Sequence, residues 1–221
     1  MMPTPERYAE AASVVLVGQF NPAIFQPAWF IAEELLPTDL ERDVALDVVS
    51  PQFTSFQADW LRLQVDAERF QVSTHDPSAF DALRDLAEGT AKLLRHTPVR
   101  AVGINTHADY RLPHDESWRQ LHERYAPLNP WANMVQHPRL QSLSVQADRP
   151  DAYPGWVQLT LKPSSNVKPG AEVHVNDHFA RSETDSAEPY GTALAIDVLT
   201  EQWAEVRQRG RGLAHTVVAT E

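Results

Sequence analysis

Imidazoles and carboxylates are the side chains here best suited to chemistry, and two stretches concentrate them. Asn105, His107 and Asp109 alternate within Val99–Arg111, with His114, Asp115 and Glu116 just beyond. His174, Asn176 and His178 alternate within Ala171–Phe179. Imidazole exchanges a proton near neutral pH, and a neighbouring carboxylate can hold it in one tautomer for general-base work. Alternate residues of a strand share one face. If the two stretches are neighbouring strands, their polar faces make a His- and acid-lined groove. Such a groove could hold a divalent metal or a small polar ligand, the site of a metal-assisted hydrolase or small-ligand enzyme built on His107, Asp109, His174 and His178. His174 and His178 alone are a poor metal pair: four extended residues separate them by about 13 Å, and a metal needs three or four convergent ligands. A polar strand face turned to water or to a partner protein accounts for the same residues without chemistry.

Other candidates carry plainer readings beside the functional ones. His75-Asp76 and His114-Asp115 spell the dipeptide of metal-dependent phosphohydrolases, but Pro77 and Pro113 adjoin them and turn chemistry explains them. Arg207, Arg209 and Arg211 form the one dense positive patch, a candidate for phosphate or an acidic partner. At a helix C-terminus, closed by Gly210 or Gly212, the same arginines would offset the helix dipole. Asp197 lies in an apolar run, where a carboxylate needs a partner. Walker, nucleophile-elbow, His-Glu-x-x-His and EF-hand patterns are absent from the sequence.

The elements that must position these groups follow from periodicity. Residues 1–13 read as an arm or short helix, Val14–Phe20 as a buried strand, and Pro27 as the start of a helix stopped by Pro37. Ala45–Val49 is a short strand. In Trp60-Leu-Arg-Leu-Gln-Val65 the apolar residues alternate with Trp60, Arg62 and Gln64, and Phe70–Thr74 completes a hairpin. Ser78 opens a helix through Leu94, and Val99–Leu112 is a long strand in which Gly103 marks a bulge or a close approach. A short helix at Ser117–Tyr125 and a proline-rich stretch lead to strands at Leu140–Gln146, Trp156–Leu161 and Ala171–Phe179. Leu194–Leu199 reads as a buried strand, Thr200 as a helix cap and Leu213–Thr220 as a last strand.

The fold class expected is α+β, mainly antiparallel sheet with helices on one face. Trp60-Leu-Arg-Leu-Gln-Val65 resembles Trp156-Val-Gln-Leu-Thr-Leu161, which suggests two duplicated ferredoxin-like halves of β-α-β-β-α-β order. The boundary is placed at Pro127, giving an N-terminal half 1–126 and a C-terminal half 127–221, packed as two units or as one continuous unit. Trp60 and Trp156 share their faces with Arg62, Gln64, Gln158 and Thr160. Such faces are covered by helices or offered as an interface, where Trp and Arg supply most of the binding energy.

Val99-Arg-Ala-Val-Gly-Ile-Asn-Thr-His-Ala-Asp-Tyr-Arg111 resembles the V-G-L-R-Y-x-N-R strand of a sporadically distributed prokaryotic family. Leu194-Ala-Ile-Asp-Val198, the early apolar strand with its helix, and the hairpin fall in a similar order. That family has no assigned activity, so the resemblance brings no catalytic residues.

Composition bounds the rest. Across 221 residues, 19 basic side chains face 30 acidic ones, a net charge of −11. Nucleic acid and anionic membrane surfaces are disfavoured partners, because each demands a cationic face. With no cysteine, disulfides, thiolate metal sites and a cysteine nucleophile are excluded. The apolar runs Val14–Val17 and Pro27–Ile31 fall short of the ~20 residues of a membrane span, and no secretory leader is read. The expectation is a cytoplasmic, cofactor-free binding or assembly protein acting on a protein partner or on copies of itself, with the groove enzyme as the alternative.

Overall fold

The computed structural model describes residues 5–38, 44–181 and 191–219. Nine antiparallel strands form one open sheet in the order β2-β3-β4-β5-β1-β6-β9-β8-β7. The strands are β1 (Glu6–Gly18), β2 (Val44–Val49), β3 (Phe53–Ala58), β4 (Leu61–Asp66), β5 (Arg69–Thr74), β6 (Val99–Arg111), β7 (Leu143–Asp148), β8 (Gly155–Pro163) and β9 (Gly170–Ala180). The helices are α1 (Pro27–Ala32), α2 (Phe80–Leu93), α3 (Asp115–Tyr125), α4 (Asn129–Ala132), α5 (Ala193–Asp197) and α6 (Trp203–Val218).

Alternation decides the layers. One face of the sheet presents Val14, Leu16, Leu63, Val72, Val102 and Ile104, which bury against Leu83, Leu86 and Ala87 of α2 and against Val198, Leu199 and Val206. The same face continues as Ala108, Val173, Val175 and Leu161, packed on Leu121 of α3 and Ala214 and Val218 of α6. Burying such side chains is worth about 1.5–3 kcal/mol each, so the helices stay on this side. Gly210 lets α6 approach β6: a Cβ there would lie 2.5 Å from Thr106 Oγ1.

Several expectations change. The chain from residue 6 is already strand, because β1 is flanked on both sides, by β5 and by β6. Phe53–Ala58 adds a third strand to the expected hairpin, joined to β4 through Asp59, whose φ is 43°. Asp76 accepts from the Ser78 amide and caps the single turn before α2, in place of Ser78. Gly103 marks no bulge, since β6 stays in register with both neighbours around it. Leu194–Leu199 is helical, running from α5 into a π turn at Val198–Gln202, and Leu213 onward belongs to α6. Runs this short fit strand and helix equally from residue order, and here Asp197, His215 and Thr216 stay exposed between the buried side chains, as on a helix with one face covered. Neither Gly210 nor Gly212 ends α6.

Four strands separate α1 from α2, and three separate α4 from α5, so neither half has the expected β-α-β-β-α-β order. One sheet runs through the 126/127 boundary: β6 pairs with β9 over Ala101–Arg111.

Candidate functional site

Opposite the helices, the sheet presents a second face whose composition is polar. Cross-strand register places Gln57, Arg62, Ser73, Ser13, Asn105, Asn176, Gln158 and Gln146 in one row across eight strands. The next rows hold Gln64, Gln71, Val15, Gly103, His178 and Trp156 on one side, and Ala11, His107, His174 and Thr160 on the other. Among the described residues, none on this face enters the two apolar cores except Trp60, which packs at the edge of one.

The two His-bearing stretches are therefore neighbours, and His107 sits directly opposite His174. Their rings stack with centroids 4.0 Å apart and planes within 5°. Nε2 of His174 donates to Asn105 Oδ1 at 3.0 Å. Burial, with Lys162 nearby, pushes His107 down to about 4. Burial and its stacked neighbour push His174 down to about 4 as well. Both rings are thus neutral near pH 7. His178 stacks separately on Trp156, centroids 4.4 Å apart, and is also lowered by burial and by Arg149.

Asp109 does not orient His107. Its Oδ1 accepts from Ser164 Oγ at 2.6 Å and its Oδ2 from Asn166 Nδ2 at 2.7 Å, which pins the loop before β9. The acid facing His107 is Glu172, 3.9 Å from Nδ1 and 2.9 Å from Lys162 Nζ. Lone pairs on two parallel imidazoles lie in separate planes, so His107 and His174 cannot aim at one ion as they stand. Among the described residues no three His, Asp or Glu converge as metal ligands.

Arg62 and Trp60 line a depression of about 470 Å³ at the other end of this face, with His75. His75 also lines a smaller cavity of about 260 Å³ over β1, with Ala9, Ala11 and Ser13, His107, Asp109 and Glu172. The small residues of β1 form its floor, and the longer ones on β5, β6 and β9 form its walls. Sequence reasoning missed Ser13, Gln71, Asn166 and Glu172. The small residues Ala9, Ala11 and Ser13 at alternate positions are the available signal, which an arm or helix over residues 1–13 does not reveal.

Arg207, Arg209 and Arg211 lie on α6 and turn toward acids of the helix-covered side. Arg207 donates to Glu10 at 2.5 Å and to Thr106 at 2.8 Å, with its guanidinium 4.2 Å from the Phe80 ring centre. Arg209 donates to Asp177 at 2.5 Å, and Arg211 to Glu10 at 2.8 Å. Asp197, on α5, accepts from Tyr153 Oη at 2.7 Å.

No family model matches the chain. No curated protein matches it either.

Proposed function

We propose that this chain is a non-enzymatic binding protein whose recognition surface is the helix-free face of its sheet, engaging a protein partner or a second copy. One observation carries the reading: a polar row spans eight strands on a face that contributes almost nothing to either core. A sheet face that stabilises the monomer is apolar, as the opposite face is. Trp156 and Arg62, the residue types that dominate binding energies, stand on it. The edge strands favour assembly too, since β2 exposes Leu46, Val48 and Val49 and β7 exposes Val145.

The groove-enzyme alternative draws support from the pairing of His107 with His174, and less from the engagement of Asp109 by Ser164 and Asn166. We also read the two halves as copies of one unit. The division then falls before β6 and not at Pro127: the strand sets β1–β5 and β6–β9 meet at the β1–β6 pair, each set places its last strand beside its first, and the similar segments Trp60–Val65 and Trp156–Leu161 fall at β4 and β8, each next to that last strand.

Sedimentation velocity at micromolar concentration tests the binding reading, on the wild-type chain and on Ser13→Arg, which fills the floor of the face. The wild type is expected to travel above its chain mass of 24.9 kDa or with a stoichiometric partner, and Ser13→Arg to release it. A wild-type chain that sediments at its own mass and retains no partner overturns the proposal.

A further inference from the structure

We infer that the cavity over β1 binds a neutral, hydroxyl-rich ligand the size of one sugar ring. Its volume of about 260 Å³ lies just below the range of roughly 300–1,000 Å³ that holds drug-sized molecules. Its carboxylates are already engaged, Asp109 by the neutral donors Ser164 Oγ and Asn166 Nδ2 rather than by a cation. Glu172 is paired with Lys162 at 2.9 Å. Glu10 reaches the edge but is held by Arg207 and Arg211 from the helix side. A cationic ligand would compete with Lys162 for Glu172 and with the Ser164 and Asn166 donors for Asp109, and an anionic one would face both carboxylates. Neither is favoured.

What remains unpaired is neutral. Ser13 is 5% exposed, lines the cavity, and its hydroxyl makes no hydrogen bond among the described residues. The side chains of Gln71 and Ser73, on the wall formed by β5, likewise make none there. Across the cavity, each oxygen of Asp109 takes one neutral donor, which leaves each a further lone pair to accept from hydroxyls. His107, a neutral imidazole, adds a donor or an acceptor. A polyol offers both donors and acceptors on one small ring, and it needs no counter-charge. The inference rests on the helix-free face being the recognition surface, and it adds a small ligand to the partner proposed above.

Ligand-observed NMR tests it, with D-glucose, D-galactose, D-mannose, N-acetylglucosamine and myo-inositol as neutral probes and glucosamine and glucuronate as charged ones. At least one neutral probe is expected to show saturation transfer, exceeding both charged ones. Ala11→Leu, which fills the floor, is expected to abolish it. Ser13→Ala, which removes one hydrogen bond, should weaken affinity roughly threefold to tenfold. Both variants are checked for wild-type thermal unfolding, and Gly212→Ala, on the solvent side of α6, serves as the control that keeps the signal. Silence from every neutral probe, a signal that survives Ala11→Leu, or preference for a charged probe overturns the inference. If Ser13→Arg still releases a partner in sedimentation while every polyol is silent, only this inference falls.

Discussion

His107 and His174 stack face to face across β6 and β9, with ring centres 4.0 Å apart and planes within 5°. The arrangement suits two neutral rings. A proton on either would place a cation against its neighbour in a site that desolvates it.

The first prediction follows from that pair. In the unfolded chain both imidazoles bind protons below their ordinary value of 6.5, whereas in the folded chain they resist until about 4. Between these limits the unfolded state holds more protons, so stability rises with pH. The contribution is complete above pH 6.5, drains away as pH falls toward 4, and is constant below. The two rings should titrate as a coupled pair, in two steps. Histidine resonances followed by NMR between pH 7 and pH 3.5, with thermal unfolding alongside, check this; a pair titrating together at 6.5 would refute it.

Glu10 and Arg207 make the second. Both are buried, and Arg207 also donates to Thr106. Arg207→Ala removes the one buried partner of Glu10 and leaves it the half-exposed Arg7 and Arg211, so it should cost about 2–3 kcal/mol, less than a fully stranded buried charge. The double replacement Glu10→Gln with Arg207→Met keeps the volume without a stranded charge and should recover most of that loss. Urea unfolding of the two variants reads the difference.

The two glycines of α6 should respond in opposite directions. Gly210→Ala pushes a methyl against the Thr106 side chain, at 2.5 Å from Oγ1 and 3.0 Å from Cβ. That displaces α6 from β6, an overpacking cost of about 1–3 kcal/mol. Gly212 has nothing within 4 Å of its Cβ position, so Gly212→Ala should stabilise by up to about 1 kcal/mol through helix propensity alone. Melting temperatures of the pair decide it.

Asp109 supports the wall of the cavity by holding Ser164 and Asn166, and Ser164 Oγ in turn accepts from the amides of Asn166 and Val167. Asp109→Ala should cost about 2 kcal/mol, as a charged acceptor is lost. Amide exchange should quicken at Asn166 and Val167 while the α2 amides keep their protection. Uniform acceleration across the chain would point to a global effect instead.

The strand character of Trp60–Val65, Val99–Arg111, Trp156–Leu161 and Ala171–Phe179 was legible from residue order, because a period of two is imposed by each strand's own backbone. The same alternation assigned His107, His174, Trp156 and Arg62 to the polar sides of their strands. Excluding thiolate chemistry also needed only composition, since the chain has no cysteine. Tertiary structure alone decided that β6 lies beside β9, so that His107 meets His174, and that β1 joins the halves with Ser13 on the cavity floor. Strand pairing couples residues 69 positions apart, as with Asn105 and His174, and no local preference encodes such a distance. Residues 194–199 and 213–218 became helix for a related reason: runs this short fit either period, and packing on the sheet buries Ala195, Val198, Leu199, Ala214 and Val218 while Asp197, His215 and Thr216 stay exposed.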